Sequence, residues 1–145
     1  MYLCHMGRVL AIDFGTKRCG IAETDDLQLI ASGLTTVHSS ELINFIKSYA
    51  NQHKLAELVI GLPMTLNNLQ THATKMAQDL AINLKRTFPE INVCTIDERF
   101  TSKMASQALF TGGLGKKKRQ EKERIDQTSA TLILQSYLEQ KRHRG

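Results

Sequence analysis

The chain has 145 residues, of which 41% are hydrophobic, 23% charged and 6% aromatic, the make-up of one compact domain over residues 1–145 rather than of a linker or a disordered tail. No apolar run reaches the roughly 18 to 20 residues needed to cross a bilayer, and the opening MYLCHMGRV lacks the apolar stretch and cleavage pattern of a secretory signal, so no membrane partner and a cytoplasmic location are expected. The net charge of +5 is concentrated, because residues 1–115 carry 10 basic and 10 acidic side chains while residues 116–145 carry 9 and 4.

Arg8 to Phe14 alternates Leu10, Ile12 and Phe14 with Val9, Ala11 and Asp13, a strand apolar on both faces and therefore central in its sheet. Cys19 to Asp25 and Gln28 to Val37 follow at hairpin spacing, with Gly15 and the Asp25-Asp26 pair at the reversals, which predicts an antiparallel meander. Leu42, Ile43, Phe45, Ile46, Tyr49 and Ala50 then recur at helical spacing, predicting a helix from Ser40 to about His53 with Ser39 or Ser40 as its N-cap. Glu57 to Gly61 is a short buried strand. A second helix follows on the stripe Ala73, Met76, Ala77, Leu80, Ala81 and Leu84 and stops before Pro89. Ile91 to Asp97 is the next strand, Thr101 caps a short helix to about Phe110, and the last helix runs from about Arg124 to Lys141. Right-handed crossovers place the later strands parallel to the first, giving an α/β fold with a five-stranded mixed sheet of order 3-2-1-4-5 flanked by helices.

Between the last two helices, the glycines of Gly112 to Gly115 and the run KKKRQEKER read as a flexible basic loop over residues 112–124. Such a run is either a solvated face or a clamp for phosphates. Cys4, Cys19 and Cys94 are too far apart for a disulfide framework or a CxxC pair, and the five histidines have no HxxxH partner, so the cysteines are expected to be reduced and no zinc site is expected.

Three acids stand in places that disfavour charge. Asp13 closes an apolar strand, where a carboxylate costs several kcal/mol unless it caps the following turn or binds a cation. Glu98 follows the last parallel strand, where open α/β sheets keep their ligand sites; strand alternation lets only one of Glu98 and its neighbour Asp97 face the same place as Asp13, and Glu98 is taken, with Asp97 left as a cap for the helix at Thr101. Asp126 shares a helical face with Ala130, Ile133 and Tyr137, where it either complements the helix dipole or faces the same site. Carboxylates without histidine or cysteine companions suit Mg²⁺ or Mn²⁺, and two such ions about 4 Å apart would serve phosphodiester cleavage. A basic run beside the acids would offset their repulsion of a polyanion.

AIDFGTKRCGIA (Ala11 to Ala22), VIGLP (Val59 to Pro63), DERFTS (Asp97 to Ser102) and KKKRQEKERIDQTSATLILQSYLE (Lys116 to Glu139) stand in the order and spacing of the YqgF (RuvX) family, which the chain resembles over nearly its whole length. The resemblance implies a ribonuclease H-like fold and metal-dependent cleavage of structured nucleic acid. Its members are assigned both to 5′ maturation of the 16S ribosomal RNA precursor and to Holliday junction resolution. It also implies Asp13, Glu98 and Asp126 as catalytic metal ligands, and Thr16, Lys17, Arg99 and Thr101 as contacts to the nucleic-acid backbone. Lys116, Lys117, Lys118, Arg119, Lys122 and Arg124 would clamp the same polyanion. The implied partners are a ribosomal RNA precursor or branched DNA, with ribosomal particles, in a monomer or homodimer. Two departures are Asn67-Asn68 where the family has an Asp-Gly type of turn, and an N-terminal extension over residues 1–7. Two other classes are weighed against this one. A phosphate-binding ATPase is suggested by DFGT, but it would need a second domain half, and a non-catalytic RNA-binding assembly factor could use the basic run alone.

Overall fold

The computed structural model describes residues 7–63, 71–97 and 118–144, with the side chains of the last segment described over 129–142. The strands are β1 (Arg8–Asp13), β2 (Arg18–Thr24), β3 (Ala31–His38), β4 (Leu55–Leu62) and β5 (Asn92–Asp97), and the helices are α1 (Leu42–Gln52), α2 (His72–Thr87) and α3 (Lys118–Arg144). They form one sheet of order β3-β2-β1-β4-β5, as the sequence predicts. β1 pairs antiparallel with β2, and β2 with β3, whereas β4 and β5 join β1 in parallel.

β1 is central because it is apolar on both sides. Leu10 and Ile12 pack with Leu42, Ile46 and Tyr49 of α1 and with Ala77, Ala81 and Leu84 of α2. Val9 and Ala11 pack on the other face with Ala22, Val59 and Ile96 and with Ala130, Ile133 and Leu134 of α3. The sheet is therefore the middle layer of three, with α1 and α2 on one face and α3 on the other.

Three details differ from the sequence reading. Ser39 and Ser40 do not cap α1. They lie in a 3-10 turn, Ser39–Glu41, where the Ser40 N–H donates to the His38 ring, and α1 begins after Glu41 without a side-chain cap. The stripe of α2 starts at Thr74 rather than Ala73, which is exposed. Thr74 is fully buried because it closes a capping box with Thr71, each backbone N–H donating to the other's hydroxyl, while its own hydroxyl donates to the Pro63 carbonyl. The last helix begins at Lys118, not Arg124, so part of the expected loop is helical. Lys, Arg, Gln and Glu are strong helix formers, and no glycine lies between Gly115 and Gly145 to interrupt them. The helix expected from Thr101 to Phe110 lies outside the described residues, as do the Asn67-Asn68 turn and Cys4. Cys19 and Cys94 are not joined in a disulfide.

α3 is tied down at its far end. Tyr137 donates its hydroxyl to Glu57 at the start of β4, Lys141 reaches the same carboxylate at 2.6 Å and Gln28 at 2.9 Å, and Arg142 donates to the Leu29 carbonyl at 3.0 Å. These anchors lie at the amino edge of the parallel strands, which turns the earlier part of α3 toward their carboxyl edge.

Candidate active site at the carboxyl edge of the sheet

The parallel strands end together. Ile12 is level with Ile60, and Leu62 with Asp97, so Asp13, Leu62 and Asp97 close β1, β4 and β5 along one edge. Asp13 is half-buried and pairs with Gly20 of β2. The two-residue period of the strand puts it on the face of Val9 and Ala11, the face covered by α3, and Phe14 returns to the core of the opposite face.

The residues after Asp13 form a tight turn into β2. A Cβ on Gly15 would stand 2.6 Å from the Arg18 carbonyl oxygen, so no other residue fits there without moving backbone. Phe14 holds one side of the turn in the core, and Thr16 and Lys17 are exposed. A hydroxyl and an ammonium thus stand three and four residues after a half-buried carboxylate, a pairing of hard oxygen donor and phosphate-binding groups at one sheet edge.

Asp97 belongs to the other side. Val93 packs in the α1–α2 core and Cys94 and Ile96 in the α3 core, so the alternation of β5 turns Asp97 away from the face of Asp13. Glu98, Arg99, Thr101, Lys116 and Lys117 lie outside the described residues. Lys118, Arg119, Lys122, Arg124 and Asp126 are in the helical backbone of α3, and their side chains are not among those described. The described residues therefore bring Asp13, Thr16 and Lys17 together. Among them, no three His, Cys, Asp or Glu side chains form a metal cluster.

One contributor to this edge was not anticipated. Ser39, suited by residue type to cap a helix, instead donates its hydroxyl to the Gly15 carbonyl at 2.5 Å, across 24 residues of chain. Nothing local in the sequence signals that bond.

Several described ionisable groups at the opposite pole are shifted from their ordinary values. Burial pushes the Tyr49 hydroxyl up to about 12, Glu23 adding to the rise and Arg8 opposing it. Burial likewise raises Tyr137, helped by Glu57. Asp25 is held below the usual carboxylate range by the N–H groups of Ile30 and Leu29, at 2.9 and 2.8 Å.

Comparison with known proteins agrees with this architecture. The chain is 49% identical over 137 residues to a Bacteroides thetaiotaomicron protein named "Putative pre-16S rRNA nuclease", covering 94% of this chain and 99% of that one. Proteins of the same name from Flavobacterium johnsoniae and Porphyromonas gingivalis are 45% and 42% identical, over 94% and 92% of this chain and 99% and 97% of theirs. Among solved structures, Thermus thermophilus RuvC in complex with a Holliday junction substrate superposes with a TM-score of 0.52 at 14% identity, covering 89% of this chain and 92% of its own, which places the fold with the ribonuclease H-like architectures. The family model described as RuvX, Holliday junction resolvase, matches residues 7–140, and with these relatives it shows that the chain belongs to the RuvX family.

Proposed function

We propose that this protein is a metal-dependent nuclease that hydrolyses phosphodiester bonds of structured nucleic acid, acting in 5′-end maturation of the 16S ribosomal RNA precursor. The observation that carries this is the position of Asp13, a half-buried carboxylate at the carboxyl edge, on the face covered by α3 and beside the exposed Thr16 and Lys17. The names of the relatives supply the substrate. Cytoplasmic residence and contact with ribosomal particles go with it.

Asp13, Glu98 and Asp126 are the residues that would hold Mg²⁺ or Mn²⁺. Two lines of geometry support the set. The alternation of β5 turns Asp97 away from the α3 face, which favours its sequence neighbour Glu98 over Asp97 for the set. In α3, position 126 lies about 16 Å along the helix axis from Tyr137, close to the roughly 13 Å that β4 covers between Glu57 and Gly61. A divalent pair held by these carboxylates would supply an activated water and charge to offset that of the departing oxygen. The chain's own task is to aim its carboxylates at one point and to bind the backbone on either side of the scissile phosphate. Thr16 and Lys17, with Arg99 and Thr101, would take the phosphates nearest the carboxylates. Lys116, Lys117, Lys118, Arg119, Lys122 and Arg124 would offset the repulsion between three acids and a polyanion.

A second reading, resolution of branched DNA, is favoured by the description of the family model. Both are tested by offering a labelled 16S precursor 5′ segment and a four-way DNA junction side by side, with Mg²⁺, Mn²⁺ or EDTA. Asp13→Asn is expected to lower cleavage at least about 100-fold, since even residues that only orient a metal ligand are worth 10- to 100-fold, and to leave folding and binding intact. EDTA should abolish cutting in the wild type. Preference for the precursor supports maturation and preference for the junction supports resolution. Binding without cleavage of either would assign the protein to non-catalytic ribosome assembly.

A further inference from the structure

The turn that follows Asp13 is held from outside its own hairpin. Ser39, just past the end of β3, donates its hydroxyl to the Gly15 carbonyl at 2.5 Å and its backbone N–H to the Lys17 carbonyl at 3.0 Å, and the Cys19 sulfur lies 3.5 Å from the same hydroxyl. One residue therefore fixes both ends of the Gly15 to Lys17 stretch. Between those two fixed carbonyls stands Thr16, and Lys17 carries the second of them.

Ser39 opens the 3-10 turn Ser39–Glu41, whose N-cap is His38, and α1 takes Glu41 as its N-cap, so the Ser39 hydroxyl stands at neither capping position. The hydroxyl is instead committed to a carbonyl 24 residues earlier. The turn it grips is also folded as tightly as glycine permits, with the Arg18 carbonyl 2.6 Å from where a Gly15 Cβ would stand. A short turn held at two carbonyls has little freedom to reorient the side chains between and beside them.

We propose that Ser39 is a positioning residue, which holds the Gly15 to Lys17 turn so that Thr16 and Lys17 meet the nucleic-acid backbone at a fixed distance from Asp13. This rests on the nuclease reading above. Ser39 touches neither the substrate nor the reacting atoms. It acts through the turn, so its removal should be felt as weaker and less well aligned substrate binding rather than as loss of the fold.

The test uses the full chain as wild type, Ser39→Ala, Ser39→Thr, Lys17→Ala and the double variant Ser39→Ala with Lys17→Ala. Three quantities are read: amide hydrogen exchange, affinity for the labelled precursor segment and junction with Ca²⁺ in place of Mg²⁺, and single-turnover cleavage with Mg²⁺. Ser39→Ala is expected to speed exchange of the residue-39 amide, which donates to the Lys17 carbonyl, about tenfold while the sheet stays protected, and to weaken binding about fivefold with a smaller change in the cleavage rate of bound substrate. Ser39→Thr, which keeps the hydroxyl, should restore both. In the Lys17→Ala background, Ser39→Ala should add less than about twofold, because the side chain that it positions is already gone. An equal loss in both backgrounds, or unchanged exchange of the residue-39 amide, overturns the proposal and leaves Ser39 as a brace of the hairpin. A wild type that neither binds nor cuts overturns the nuclease reading and this inference with it, whereas an active wild type matched by Ser39→Ala overturns this inference alone.

Discussion

Tyr49 of α1 has a buried ring and donates its hydroxyl to Glu23 at 2.7 Å, while Arg8 reaches the same carboxylate at 3.1 Å and Asp26 at 3.2 Å. Its hydroxyl is raised from 10 in the unfolded chain to about 12 in the folded one. A group whose value is raised by folding gives its full contribution below the unfolded value and loses it as pH climbs through the folded one. Stability measured by denaturant titration should therefore begin to fall at pH 10 and continue to fall toward 12. Tyr49→Phe should flatten that decline in part, Tyr137 supplying the remainder, and should lower stability at neutral pH by about 1 kcal/mol for the missing hydrogen bond. Neither tyrosine's environment could be read in the sequence, since Glu23 and Glu57 lie 26 and 80 residues away. The place of Asp13 at the end of a buried strand was legible because an acid closing an apolar strand is costly, whereas strand alternation showed only that one of Asp97 and Glu98 could share its face and not which of the two. Ser39 was not legible, because a serine hydroxyl suits a helix cap and a distant carbonyl equally well.

Helix α3 was readable over its second half and misread over its first. Ala130, Ile133 and Tyr137 recur at the spacing of one helical face, and the structure packs that face on Val9, Ala11, Val59 and Ile96. The start was set too late because a dense basic run after glycines resembles a loop, although its residues individually favour helix. What holds the element is burial rather than charge. Ile133 is fully buried between the helix and the sheet, so Ile133→Ala is expected to cost about 2–5 kcal/mol and to lower the melting temperature by on the order of 10 °C in calorimetry. The exposed Glu139, six residues on, should tolerate alanine with less than about 0.5 kcal/mol of change.

For the molecule as a whole, sheet order followed from two facts in the sequence, a first strand apolar on both faces and later strands separated by helices. Charge distribution is the whole-molecule property that bears most directly on substrate. Residues 116–145 carry a surplus of five positive charges and residues 1–115 carry none. Binding should consequently weaken steeply with salt, and replacing Lys118 and Arg119 by glutamate should reduce the slope of log affinity against log salt by about 0.9 for each duplex-DNA phosphate that the protein no longer neutralises. Fluorescence anisotropy across a salt series measures it, and an unchanged slope would show that the run is only a solvated face.

The anchors at the amino edge have a practical consequence. Gly7 donates its N–H to the Asp26 carbonyl and Arg142 binds the Leu29 carbonyl, so the chain enters β1 and leaves α3 beside the same β2–β3 loop, across the sheet from Asp13. A fluorophore, affinity tag or solid support joined at either end would be tethered on the side away from the carboxylate. Protein immobilised in this way presents its reactive edge outward, where a long folded RNA or a branched duplex can approach without meeting the surface that holds it.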